Sequence, residues 1–343
     1  MPDLGKTTGL IMDLTDKRDI HIVKYFSSFV SVSEGKVINI TDPTLTFCPL
    51  ASHLYKGFRG KRGSDKEAIK AAIKSAIESK IKDYGLFTGK RKFSCREVEV
   101  PYGASEMLSF ALRKKAIDAA VVVCEGAGTV ITDIPDIVRG IGGRMNSILL
   151  TSPIEGIIKK LKISGCRVIF ENALVDQVRG VKEAIGSGYK TIAVTVCGHF
   201  ADDLKALRLL EKESGVRIIS LAVCTTGIAK DEVNLIRDYA DLVWSCASQD
   251  VRRVIGPLAK CQLSKQIPVF VLTDNGVNFI SAYAEDGSFI KSLDTKKQYI
   301  FSSERSGMRI RLGNFETFIS ESELPVNGQN TPRFEDKEEY TAV

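Results

Sequence analysis

The sequence lacks the marks of several specialised classes. No uncharged apolar run approaches the roughly 18 residues of a membrane-spanning helix, and no apolar segment follows a basic start as in a secretory leader. Only three histidines occur, His21, His53 and His199, with neither H-E-x-x-H nor G-x-S-x-G. No metalloprotease or serine-hydrolase constellation is therefore available. A large excess of one charge is also missing: 48 lysines and arginines face 42 aspartates and glutamates, a net charge of +6. Nucleic-acid binding favours a concentrated basic stripe, and the one dense basic segment, KGFRGKRGSDK at 56–66, reads as a solvated loop. LGKTTG at 4–9 lacks the upstream glycine and the strand of a phosphate-binding P-loop. The eight cysteines contain no C-x-x-C pair, so neither a zinc ribbon nor a ferredoxin motif is present. Their wide spacing suits a reducing cytoplasm better than a disulfide framework.

The pattern that is present reads as α/β. FSSFVSVSEGKVINITDP at 26–43 alternates around Glu34-Gly35 and predicts a hairpin. Residues 64–85 predict a helix: Ser64 and Glu67 have capping-box spacing, Ile69, Ile73, Ile77 and Ile81 share a face, and Gly85 is a stop. From about residue 93, strand-like runs near 121, 168, 193, 219, 243 and 269 alternate with helical segments at 153–163, 172–186, 200–213, 229–240 and 248–260. Ser152 and Pro153 mark one helix start. This predicts a mostly parallel sheet with helices on both faces. A β-rich N-terminal segment precedes it, and a β-hairpin C-terminal extension follows, with turn signals at Asn275-Gly276 and Asp286-Gly287. The implied parts are 1–92, 93–274, 275–320 and a mobile tail over 321–343.

Candidate sites gather at expected strand ends. VVVCEGAGTVIT at 121–132 places Cys124, Glu125, Gly126, Gly128 and Thr129 after an apolar strand. The third glycine of a dinucleotide fingerprint would fall on Ile131, so that motif fails. The stretch is either a tight turn or a ligand loop, and the second cluster, VRGIGGRMNS at 138–147, read as part of an extended loop between residues 125 and 151, favours the ligand loop. Gly142 and Gly143 can bring free amides to an anion, and Arg139 and Arg144 add charge. A lid or a contact between copies of the chain is the competing use of these glycines. Cys124, Cys197, Cys224 and Cys246 each end a predicted strand, so in a parallel sheet they share one edge. That edge could hold an iron–sulfur cluster or another thiolate-bound metal; packing as small hydrophobes is the alternative. CTTG at 224–227 and CASQD at 246–250 bring Thr225, Thr226, Gly227 and Ser248 to the same edge as anion-binding or capping groups. Cys124 and Glu125 are the candidates for chemistry there.

GASEMLSFAL, IDAAVVVCEGAGTVIT, RGIGGRMNS, TSPIEGII, VDQVRGVKEAI, TTG and CAS occur in an order that resembles the archaeal methanogenesis marker protein 8 family, over about Gly35 to Gly276. The resemblance implies a cytoplasmic role tied to methane metabolism or its cofactors and supplies no catalytic residues. Two functions are expected from sequence: binding an anionic cofactor or metal centre at the sheet's carboxyl edge, or acting as a non-catalytic assembly factor for another methanogenesis protein.

Overall fold

The structure is a computed structural model that describes residues 19–45, 65–94, 100–143 and 147–327. Ser64, Arg144, the basic segment before Asp65, the 4–9 stretch, Cys48, His53 and the tail beyond residue 327 lie outside the described residues.

Two sheets organise the chain. The smaller has the order β3-β2-β1-β6, from β1 (His21–Tyr25), β2 (Ser28–Ser33), β3 (Lys36–Ile40) and β6 (Ser147–Thr151). The β2–β3 hairpin turns at Glu34 and Gly35, both with positive φ, as its two-residue connection requires. Helix α1 (Lys66–Tyr84) lays Ile69, Ile73 and Ile77 against Val23, Val30, Val32 and Ile148 of this sheet. Its N-cap is Asp65, whose carboxylate accepts from the Ala68 amide at 2.7 Å, so the expected Ser64 cap is displaced by one residue.

The larger sheet has eleven strands in the order β14-β15-β13-β11-β12-β10-β9-β8-β4-β5-β7. Its centre is parallel: β4 (Ala119–Cys124), β8 (Thr191–Cys197), β9 (Arg217–Val223) and β10 (Leu242–Trp244). The flanks are not. Antiparallel β5 (Gly128–Thr132) and β7 (Arg167–Val168) extend one side. On the other side, β12 (Val269–Val271) is antiparallel to both β10 and β11 (Cys261–Leu263), and β11 is parallel to β13 (Tyr299–Ser302). The hairpin of β14 (Met308–Leu312) and β15 (Phe315–Glu321) completes that edge. The sheet is therefore mixed rather than mostly parallel. Short turns join β4 to β5, β11 to β12 and β14 to β15, and such connections permit only antiparallel pairing.

Helices cover both faces, as alternation along the central strands requires. Ala120, Val122, Ile219, Leu221 and Leu242 pack on one face beneath α2 (Ala104–Arg113), α3 (Pro135–Gly142), α4 (Glu155–Ile163) and α8 (Asp274–Tyr283). Val121, Ile192, Val194, Ile218 and Val243 pack on the other beneath α5 (Gln177–Gly186), α6 (Asp202–Ser214) and α7 (Lys230–Tyr239).

Four local expectations are corrected. Residues 135–142 form α3, not an extended loop. Residues 274–283 form α8, because the Thr273 hydroxyl caps the Gly276 amide at 3.1 Å and the Asn-Gly pair enters a first helical turn. Over 248–260, a π-turn at Val251–Ile255 and a 3₁₀ turn at Gly256–Leu258 replace an α-helix. Ser152 does not cap α4: its hydroxyl donates to Ile20 O at 3.0 Å and accepts from the Ile20 amide at 2.9 Å, tying the α4 entry to the smaller sheet.

Candidate functional site

The opening glycine stretch is a closed turn. Cys124 pairs with Gly128 across the β4–β5 hairpin, and Glu125, Ala127 and Thr129 are fully buried. Its amides are used inside the protein: Gly126 N donates to Thr151 Oγ1 at 2.7 Å and Thr129 N to Leu174 O at 3.1 Å. Gly128 has φ 66, and a β-carbon there would overlap the Ala173 and Leu174 carbonyls. Thr129 Oγ1 donates to Gln177 Oε1 at 3.0 Å. Gly126, Gly128 and Thr129 thus shape a buried turn rather than cradle an anion. Packing, not amide access, selected the glycines.

Glu125 is likewise committed. It pairs with Arg91, and neither side chain is exposed. Arg91 also donates to the Gly140 carbonyl at 2.9 Å, joining the turn to α3. The Cys124 thiol lies 3.4 Å from Glu125 Oε2, and burial pushes its pKa well above the usual thiol value. With none of its surface exposed, it is placed for packing rather than for attack. Nearby, His21 bonds Thr151 Oγ1 at 2.6 Å and Asp19 at 2.8 Å, and burial holds its pKa below the ordinary value. This acid–imidazole–hydroxyl series has the order of a catalytic triad, but His21 is fully buried and Thr151 is 6% exposed, so it fixes β1 against β6.

The second glycine cluster also serves packing. A β-carbon on Gly142 would stand 2.5 Å from Ser105 Cβ, so glycine lets α3 approach α2. Gly143 is the C-cap of α3, its amide bonded to Arg139 O at 2.8 Å. Arg139 sits beside Glu106 in a small cavity lined also by Ser109 and Tyr283.

The cysteine edge is different. Cys197 is the last residue of β8, Cys224 follows β9, and Cys246 follows β10 by two residues. These are adjacent parallel strands, so their ends bring three sulfurs to one carboxyl edge, where open α/β sheets bind ligands. Ser147 of β6 bonds Cys197 Sγ at 3.2 Å and lies beside Cys224. The Cys246 sulfur receives the Cys224 and Thr225 amides. Cys224 and Cys246 both have positive φ, 61° and 47°, a conformation that non-glycine residues keep where their surroundings over-determine it. Cys124 ends β4 on the same edge, but its thiol bonds Glu125 O and Oε2, each at 3.4 Å.

Lys24 of β1 reaches into this cluster. Its ammonium donates to His199 Nε2 at 2.7 Å and to the Thr226 carbonyl, and it lies 5.3 Å over the Phe29 ring. Burial lowers its pKa, while Cys197, Cys224, Cys246 and Glu232 act to raise it. His199 is held to about 3 by burial and by Lys24, so the imidazole is neutral and accepts. Burial pushes all three thiols up. The three residues are still partly accessible, and both facts matter: the enclosing protein sets thiol charge, while the accessible rim sets reagent access. Gly227 lies against Lys24, Thr225 Oγ1 donates to Trp244 O at 2.7 Å, and Thr226 Oγ1 accepts from the Ala247 amide at 3.2 Å. Ser248 Oγ caps the Val251 amide at 3.2 Å. Among the described residues, no group of three or more His, Cys, Asp or Glu is arranged to hold a metal ion.

Of the sequence candidates, then, Cys197, Cys224, Cys246, Thr225, Thr226, Gly227 and Ser248 converge; Gly126, Gly128, Thr129, Gly142, Gly143 and Arg139 do not join them. Lys24 and Ser147 were missed. Both belong to the smaller sheet, and nothing local marks a lysine within an apolar strand as a site residue. His199 stands two residues after Cys197 in the sequence, but its partner Lys24 is 175 residues away.

The comparisons bear out the archaeal part of the sequence resemblance. Residues 21–285 match the model of a family described as "Uncharacterized protein conserved in archaea (DUF2099)". A protein of the methanogen Methanocaldococcus jannaschii, "Uncharacterized protein MJ0054", is 41% identical over 259 residues, covering 75% of this chain and 87% of that relative. The chain therefore belongs to the archaeal DUF2099 family.

Proposed function

We propose that this chain is a methanogenesis marker protein 8 that binds an anionic cofactor in the archaeal cytoplasm. The site is the carboxyl edge over β8, β9 and β10. One observation carries the reading: the ammonium of Lys24 is buried beside three thiols and a neutral imidazole. A lysine has three N–H donors; His199 and the Thr226 carbonyl engage two, which leaves one for an anionic group. A charge placed in such a low-dielectric setting attracts an anion far more strongly than it would in water. The thiols then face the bound molecule. The similarity to a methanogen protein supports the metabolic setting.

The test is anaerobic purification of the wild-type chain and of Lys24→Met, denaturation, and identification of released small molecules together with iron, zinc and sulfide analysis. A stoichiometric anionic compound is expected from the wild type. It should be retained about tenfold or more poorly by Lys24→Met, since a charged hydrogen bond contributes about 1.5–3 kcal/mol. Release of no anion from the wild type overturns the reading. Metal or sulfide without an anion would replace it with a thiolate-bound centre.

A further inference from the structure

We propose that Cys197 and Cys224 form a dithiol–disulfide pair that exchanges with a low-molecular-weight disulfide. The pairing follows first from register. Cys197 stands opposite Val223 across the parallel β8–β9 ladder, so Cys224 lies one residue further along the neighbouring strand. Strands about 4.8 Å apart, with a rise of about 3.3 Å per residue, place such a diagonal pair about 5.8 Å apart. A disulfide spans Cα separations of roughly 4.4–6.8 Å.

Side chains point the same way. The Ser147 hydroxyl bonds Cys197 Sγ at 3.2 Å and lies beside Cys224, so the two thiols share one neighbour. Both residues are partly accessible, whereas Cys124 is 0% exposed. The positive φ of Cys224 is a second mark of a position held for its side chain. Cys246 follows β10, on the opposite side of β9 from Cys197, with the Cys224 and Thr225 amides beside its sulfur. The β9–β10 register sets Cys246 diagonally beside Cys224 as well, but only Cys197 and Cys224 share Ser147 as a neighbour, which makes Cys246 the flanking thiol.

The exchange balances without a bound cofactor. One cysteine, as thiolate, attacks the small disulfide R–S–S–R. A protein–SR bond forms, the R–S–S–R bond breaks, and one RSH leaves with that cysteine's proton. The second cysteine attacks its neighbour's sulfur in the mixed disulfide, closing Cys197–Cys224 and releasing the second RSH with its own proton. Two protein thiols lose two electrons and two protons, and the small disulfide gains them. This step is read on the protein's own sulfurs, so it stands or falls separately from the anionic-cofactor reading.

The test uses the full chain, reduced, freed of reductant under nitrogen and treated with oxidised glutathione before the remaining thiols are alkylated. The expected result is a majority of chains in which tryptic peptides 191–205 and 218–230 are joined, with no glutathione on either. Dithiothreitol should separate them. Cys224→Ser should instead retain glutathione on Cys197, and Cys246→Ser should still form the link. If either variant fails to fold, the wild-type peptide map alone decides. Linkage of either peptide to 238–252, retained glutathione on the wild-type peptides, or full alkylation of both cysteines overturns the proposal.

Discussion

Arg91 and Glu125 each depend on the other, because neither side chain reaches solvent. Removing one partner of a buried pair leaves an uncompensated charge, which costs about 3–5 kcal/mol. Arg91→Met and Glu125→Gln should each destabilise by that amount in urea unfolding, and the double variant by clearly less than the sum. Additive losses would show that the two side chains do not act as a pair. Gly128 allows a sharper comparison. Gly188 has φ 92 with nothing within 4 Å of an added β-carbon, whereas Gly128 has φ 66 and two carbonyls in the way. Gly188→Ala should cost only the left-handed strain of about 1–2 kcal/mol. Gly128→Ala should cost at least about 2 kcal/mol more, since backbone rather than a flexible side chain must move. Equal losses in chemical denaturation would remove the packing account of this glycine.

At the scale of elements, α6 carries an acid in an unfavourable place. Asp203 is in its first turn, yet burial, aided by Asp176 and Asp202, raises its pKa to about 6. The folded state therefore holds a proton that the unfolded state releases from the ordinary value near 3.8. Stability from this group is fully present below that value and is lost as pH rises through about 6. Asp203 is partly exposed, so the effect should be of order 1 kcal/mol after solvent screening. Asp203→Asn should flatten the fall in melting temperature between about pH 4 and 6.5. An unchanged slope in the variant would place the titration elsewhere. The β4–β5 hairpin shows a related competition. A glycine turn after a strand looks alike in sequence whether its amides meet a phosphate or acceptors of the same chain, and here the Thr151 hydroxyl takes the Gly126 amide and the Leu174 carbonyl takes that of Thr129.

Across the whole molecule, the family match ends at residue 285, but the sheet does not. Strands β13 to β15 bury Ile300, Phe301, Leu312 and Ile319 in the two cores that flank the larger sheet. Gln262 of β11 also exchanges side-chain hydrogen bonds with the Val326 backbone, at 2.9 and 2.6 Å. A chain cut after Glu285 would leave β11 as an open edge above exposed apolar side chains, a template for association. Such a truncation should aggregate on size-exclusion chromatography while the full chain elutes as a discrete species. A well-folded, soluble truncation would show that the last strands are an accessory to the family core.

The helix at 66–84, the central strands and their helices on both faces were legible in the sequence, because periodic apolar residues report local burial directly. So was the gathering of Cys197, Cys224 and Cys246, since the ends of adjacent parallel strands share an edge. The mixed flanks of the sheet, the helix at 274–283 and the closure of the glycine turn were settled by partners distant in the chain. Lys24 and Ser147 are the clearest case. Each lies on a strand whose own pattern speaks only of packing, and each gains its role when the smaller sheet is set against the carboxyl edge of the larger one. A local sequence can state which face of an element is apolar, but a site built across two sheets exists only once tertiary contacts bring them together.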